Sequence, residues 1–429
     1  MLPLDLDTSR RVAADAPNWV AELHDRGFKL FEELSMPDST EEVWRYVDLD
    51  FDLAELGVPH GPGRPLSEDG EIVTELGDLA GRAIVVDGHT VESQHDAGEG
   101  VVFGALAKAI VEHEQQARKA FGRGIPADLD KFSAAHHAFQ QDGIFLSVPA
   151  GRSVERPFYV EIQAVTPEAL TLPRVTAVLE EDAEASLVIQ YRSSDDEPFI
   201  VVPQVEVVVG DASRLRLSAV QAWGNRTRAV AQQRMTAGGD ATLRFAEAGL
   251  GGILSRLHLT VDLAGRGTSA EVLGLYFGDG DQILDYRAFI NHIGPNTTSD
   301  MFLKGAVADQ ARSVFSGLIR IEPEGQKTNA FQTNRNLVLS DGAEAHSVPN
   351  LEILANDVRC GHGSTVGPID EDQRYYLMSR GLDRVRADRL QVKGFFEQVL
   401  RRLPEAGLAG PLREAVVAKY VAAQEEGRV

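Results

Sequence analysis

A chain of 429 residues with a formal charge of −23 and a single cysteine excludes several classes at once. Its acidity works against nucleic acid, whose phosphates need a basic surface, and a lone thiol rules out an intramolecular disulfide framework. No run of about 18 apolar residues is available to span a bilayer, and with no apolar leader after Met1 the sequence reads as that of a cytoplasmic protein.

From Pro17 to Leu34, the residues Trp19, Leu23, Leu30, Phe31 and Leu34 recur at helical spacing and predict an amphipathic helix. Ser39 and Glu42 have capping-box spacing and predict a second helix carrying Val43, Trp44, Tyr46 and Val47. The stretch from Gly57 to Pro65 reads as a loop. Ala83 to Val86, Asp87-Gly88 and His89 to Glu92 together read as a hairpin closed by a type I′ turn. Phe103, Leu106, Ala107, Ile110, Ala117 and Phe121 predict a further helix, stopped at Gly122 and Gly124, and another is expected from Pro126 to Gln141. Residues 1–142 thus read as a mixed, mostly helical cap. His136 and His137 on its last helix point about 100° apart, so partial burial beside Phe132 and Phe139 is expected of them rather than a shared metal.

From Gly143 onward the pattern changes to short β-branched strands with turn residues between them. Asp182-Ala183, Asp211-Ala212 and Asp240-Ala241 recur every 29 residues, Gly267 follows 27 residues later, and Asp309 and Asp341 continue the series more loosely. A fixed period with strands in every repeat predicts a parallel β-helix, a solenoid of roughly seven or eight coils over residues 143–368. A β-sandwich is the competing fold; the equal register of three successive turns favours stacking, and helices at both termini could cover the open ends. The glycine-rich stretches 249–254 and 277–282 are not strand-to-helix transitions, and Gln326-Lys327-Thr328 lacks the rest of a Walker A loop. No nucleotide site is expected on this chain.

The chemistry concentrates at Cys360 and His362. In an extended segment residues i and i+2 share a face, so thiolate and imidazole could reach one soft metal or an iron–sulfur unit. Gly361 and Gly363 suggest a tightly curved, exposed segment. Two ligands do not complete a tetrahedral centre, and the spacing by itself favours a small buried thiol beside a hydrogen-bonded turn imidazole.

Residues 369–429 read as helical. Asp370 and Gln373 have capping-box spacing, Gly381 suits a C′ position, and Asp383 can cap a helix whose apolar positions are Val385, Leu390, Val392, Phe396, Val399 and Leu403. Pro411 opens a third helix, with Leu412, Val416, Val417, Tyr420 and Val421 on one side. Between Asp383 and Arg402 six basic residues face three acidic ones, a net +3 that marks a possible docking face.

Four stretches, EEVWRYVDLD (41–50), FSAAHHAFQQDGIFLSVPAG (132–151), KTNAFQTNRNLVLSDGAEAHSVPNLEILANDVRCGHGSTVG (327–367) and DEDQRYYLMSRGL (370–382), make the chain resemble the SufB/SufD family of iron–sulfur cluster assembly proteins. The resemblance implies a right-handed parallel β-helix between helical termini and a non-catalytic scaffold subunit. It implies pairing with a SufB-like paralogue through the β-helix and docking of a SufC-like ABC-type ATPase on the C-terminal helices. It also implies a transient nascent iron–sulfur cluster near the subunit interface, with Cys360 and His362 on the family's C-x-H-G motif. The SufB branch carries a further core cysteine that receives sulfur, and this chain has none. Two other readings stay open: a β-helix enzyme acting on carbohydrate, and a scaffold that pairs with itself.

Overall fold

The computed structural model describes residues 1–67, 70 and 72–426. Its centre is a solenoid of about eight turns, in which successive strands alternate between two sheets. The first sheet stacks Phe158–Ala164, Glu184–Ser193, Arg214–Ala222, Thr242–Gly249, Ser269–Gly278, Thr298–Val307, Asn329–Val338 and Arg359–Gly367, all parallel. The second stacks Ile144–Val148, Arg174–Leu179, Gln204–Val209, Thr227–Ala237, Leu254–Leu263, Ile283–His292, Arg312–Ile321 and Glu344–Ile353.

The repeat has a backbone cause. At one corner of six successive coils a residue takes a left-handed conformation, and its N–H donates to a carbonyl of the next coil. Asp182, Ala212, Asp240, Gly267, Asn296 and Lys327 hold φ between 52° and 75°. Their N–H groups bond Asp211, Gly239, Arg266, Pro295, Gln326 and Asp357 at 2.6–3.0 Å. Left-handed geometry favours Gly, Asn and Asp, which is why the turns are visible in the sequence. The series continues through Asn296 and Lys327. Asp309 and Asp341 belong to the opposite corner, where Asp309 accepts from the Gly280 N–H at 2.8 Å.

Inward residues stack in columns that no water reaches. Leu187, Leu217, Phe245, Val272 and Met301 form one on the first sheet; Val207, Met235, Val261, Ile290 and Ile319 face it from the second. Gly305 is dictated by this packing: a Cβ there would fall 1.8 Å from the Tyr276 ring.

The terminal segments cover the outer faces. Helix Asn18–Glu33 is present as predicted, and Asp130 caps a shorter helix, Lys131–Phe139, than the sequence suggested. These pack Phe31, Phe132 and Phe139 toward Ile200, Val230 and Leu254 of the second sheet's outer face. The helix expected after Ser39 is a single 3-10 turn, Glu42–Trp44. Its side chains are spent along the sheet. Arg256 lies 3.8 Å over Trp44, Tyr46 stacks on His346 at 4.8 Å, and Asp50 pairs with Arg228. Such contacts on strands of different coils require a strap, because a helix would gather the same residues around one axis. Phe103 lies on a strand, Val102–Ala105, which enters the predicted helix at Leu106, and that helix breaks at His113. Asp87 and Gly88, both at positive φ, close the expected hairpin, whose strands extend the first sheet at its N-terminal edge. His136 and His137 are fully rather than partly buried, donating to the Pro173 and Ile125 carbonyls respectively.

Three helices, Glu371–Ser379, Arg384–Leu400 and Ala409–Glu425, follow the last strand. The second and third lay Val392, Phe396, Val399, Leu412, Val416 and Tyr420 on the first sheet's outer face. Each large apolar side chain so buried contributes about 1.5–3 kcal/mol. Asp370 and Asp383 cap as predicted, and Gly381 takes φ +95°. The third helix starts at Ala409, so Pro411 sits within its first turn rather than opening it. None of the described helices is long and apolar enough to cross a membrane.

Candidate functional site

The strand Arg359–Gly367 is the last of the first sheet and Glu344–Ile353 the last of the second; among the described residues each has a parallel neighbour on one side and none on the other. Register puts Cys360 on Ala330, His362 on Gln332 and Ser364 on Asn334, all three of which are buried inward positions. Cys360 and His362 therefore share the inward face of an open-ended coil, as their spacing predicted. The curved segment expected from the glycines is instead a regular strand. Gly361 and Gly363 fall on its outer face, where a Cβ at 361 would meet the Phe331 ring at 3.0 Å and one at 363 would meet nothing.

The two side chains live in different surroundings. Cys360 packs with Ile319, Ile321, Ala330 and Ala355, and its half-burial pushes the thiol above its usual range. His362 is exposed, with no hydrogen-bond partner among the described residues. Beneath them the solenoid interior turns polar. Tyr276 donates to Asn336 at 2.6 Å, Asn336 to Asn334 at 2.7 Å, and Asn334 to Tyr276 at 3.2 Å, a closed ring inside the coil. The Gln332 amide crosses the interior to the Asn350 carbonyl at 3.0 Å, and Ser364 meets Ser347 at 2.8 Å, so the two last strands are tied across the mouth. On the outer face His346 sits 3.2 Å from Glu344, and with Arg312 it holds that carboxyl below its ordinary range.

Among the described residues no group of three or more His, Cys, Asp or Glu side chains converges as a metal site. The mouth thus offers one sulfur and one imidazole nitrogen, and a cluster held there needs further ligands from elsewhere.

A second surface lies on the C-terminal helices. No residue of Glu371–Ser379 is buried; Tyr375 is 77% exposed, Tyr376 57%, and Met378, Val385 and Leu390 also reach solvent. Of the predicted apolar positions on the next helix, Val392, Phe396, Val399 and Leu403 pack inward while Val385 and Leu390 do not. A groove of about 500 Å³ between these helices and the sheet is lined by Lys304, Asp370, Gln373, Leu390 and Phe395. Burial lowers the Lys304 amine to about 8, and it donates to the Phe395 carbonyl at 2.7 Å. The basic segment divides its labour. Arg402 bonds Glu271 and Asp300 of the solenoid, whereas Arg384, Arg386 and Arg401 project into solvent. A larger cavity of about 680 Å³, lined by His95, Phe103, Lys108, His113 and Glu180, lies at the solenoid's other end, and no motif in the sequence pointed to it.

Comparison with known proteins agrees with this architecture. Residues 162–395 match the family model described as SUF system FeS cluster assembly, SufBD core domain, and residues 78–160 match the SufBD protein N-terminal region. An iron-sulfur cluster assembly SufBD family protein of Mycobacterium tuberculosis, Rv1462, is 33% identical over 65% of this chain and 71% of its own length. The iron-sulfur cluster assembly protein SufD of Bacillus subtilis is 28% identical over 94% of both chains, and the chloroplastic protein ABCI7 of Arabidopsis thaliana 27% over 89% of this chain and 82% of its own. With more than half its length matched by the core model, the chain belongs to the SufBD family of iron–sulfur cluster assembly proteins.

Proposed function

We propose that this chain is a SufD-like, non-catalytic scaffold subunit of a cytoplasmic assembly that builds iron–sulfur clusters. The observation that carries the reading is the placement of Cys360 and His362 together on the inward face of the last strand of the solenoid, which is paired on one side only. The open outer edge of each last strand is a template for another chain, and a SufB-like paralogue meeting this end would bring its own groups to the same mouth. The nascent cluster is cargo, held transiently by the Cys360 sulfur, the His362 nitrogen, sulfide and residues of that partner. Binding requires a deprotonated thiol and a neutral imidazole; the half-buried thiol loses its proton most readily when a metal arrives.

The exposed Tyr375, Tyr376, Met378, Val385 and Leu390, rimmed by Arg384 and Arg386, form the face on which a SufC-like ATPase docks. Exposed aromatics with arginine are the composition of an interface centre. Nucleotide hydrolysis resides in that partner. Purification of the tagged chain from its native cytosol, with co-purifying chains identified by mass, tests the assignment: a SufB-like chain and an ABC-type ATPase are expected, and recovery of the chain alone or only with itself would contradict it.

A further inference from the structure

Glu247 occupies an inward position in the middle of the solenoid, where every other coil places an aliphatic, a small residue or a neutral amide. Its column neighbours are Ala219 and Gly274, and the residue is only 8% exposed. Across the interior, Gln233 on the second sheet donates from Nε2 to the Glu247 carboxyl at 3.3 Å. The other half of that amide, Gln233 Oε1, is buried and has no donor among the described residues. Two buried hydroxyls, Tyr191 from one sheet and Tyr286 from the other, also lack a hydrogen bond, although Ser255 lies beside Tyr286. Both feel the Glu247 carboxyl electrically. Among the described residues no Arg, Lys or His bonds Glu247; burial dominates its surroundings and Gln233 comes second.

An ionised carboxylate only accepts hydrogen bonds. It would accept from Gln233 Nε2 but leave Gln233 Oε1 without a donor, and it would stand in the core without a counter-charge, a costly state. A neutral acid resolves both problems. Its O–H can donate to Gln233 Oε1 while its carbonyl oxygen accepts from Gln233 Nε2, which makes a two-way acid–amide pair inside the coil. We propose that Glu247 is held as the neutral acid, paired with the Gln233 amide inside the solenoid, and that its ionisation sets an alkaline limit on the cohesion of the stack.

Burial raises the Glu247 carboxyl from 4.5 to about 8. Because the folded state holds a proton that the unfolded state releases, the contribution is intact below about 4.5, is lost as pH rises, and levels off above about 8. In that window the folding constant should fall by up to about tenfold per pH unit through this one group.

Glu247→Gln keeps the size and hydrogen-bonding pattern of the neutral acid and cannot ionise. Denaturant unfolding of the full chain and of this variant, from pH 5 to pH 9, should give equal stability near pH 5 and a widening advantage for the variant up to pH 8. Parallel curves, or a variant less stable at pH 8, would overturn the proposal. Carbon NMR of the unmutated chain labelled only at Glu carboxyls gives an independent reading: one glutamate should remain protonated at pH 7, and a spectrum in which all glutamates are ionised would overturn it equally.

Discussion

Replacing Leu217 with aspartate probes the stacking that underlies every other statement about this protein. Leu217 lies between Leu187 and Phe245 in an inward column and is fully buried. Removing a buried leucine side chain costs about 2–5 kcal/mol. The new carboxyl would have no partner in a column of apolar side chains, which adds a few kcal/mol more. A loss of at least about 5 kcal/mol follows, the size of a typical domain's entire stability margin. Leu217→Ala should lose only the first part. Arg214→Ser on the same strand, where an exposed arginine faces Asp182 at 3.8 Å, should cost less than about 1 kcal/mol. The introduced acid should also be less harmful at pH 5 than at pH 8, since a buried carboxyl is tolerated when neutral. Urea unfolding followed by far-UV circular dichroism at both pH values measures all three variants. A Leu217→Asp loss no larger than that of Arg214→Ser would place residue 217 at a surface and refute the stacked-coil interior.

Three further outcomes follow from other parts of the chain. Tyr375→Glu with Leu390→Glu should abolish ATPase co-purification while leaving the melting temperature within a few degrees, because both side chains are exposed; retained association would remove the helices from the docking face. His24 and His137 are lowered by burial to about 4, and burial holds His136 well below the usual imidazole range. These groups favour folding above the ordinary imidazole range and lose that contribution as pH falls toward 4, so His137→Gln should flatten the acid limb of a stability profile; an unchanged limb would contradict their neutrality. Asp130→Ala removes the cap on Ser133 and the carboxylate facing Gln232, and should destabilise the chain by about 1–2 kcal/mol in denaturant titration.

The period, the hairpin at Asp87-Gly88, the Asp370 and Asp383 caps and the shared face of Cys360 and His362 were legible because local backbone rules decide them. A left-handed turn residue or a capping carboxylate carries its reason within a few positions of sequence. What escaped the sequence depends on partners far along the chain. Trp44 and Tyr46 carry a helical pattern, but Arg256 and His346, some two and three hundred residues later, draw them into a strap. Asp309 and Asp341 look like members of the series begun by Asp182, yet both corners of a coil use aspartate, and only the ladder separates them. Glu247 gave no signal because a glutamate in an alternating strand is ordinarily an outward one.

The measurement closest to the central claim is anaerobic cluster reconstitution on the complex purified with its partner subunits, read by visible absorption and by iron and sulfide counts. His362→Ala should sharply reduce cluster content with subunit association intact, Cys360→Ser should have a similar or smaller effect, and the double variant should be lowest. Assembly on the unmutated complex should weaken as pH falls through the imidazole range. Full cluster content on the double variant would contradict the account, leaving Cys360 as packing for Ile319, Ile321 and Ala330 and His362 as a surface residue of the last strand.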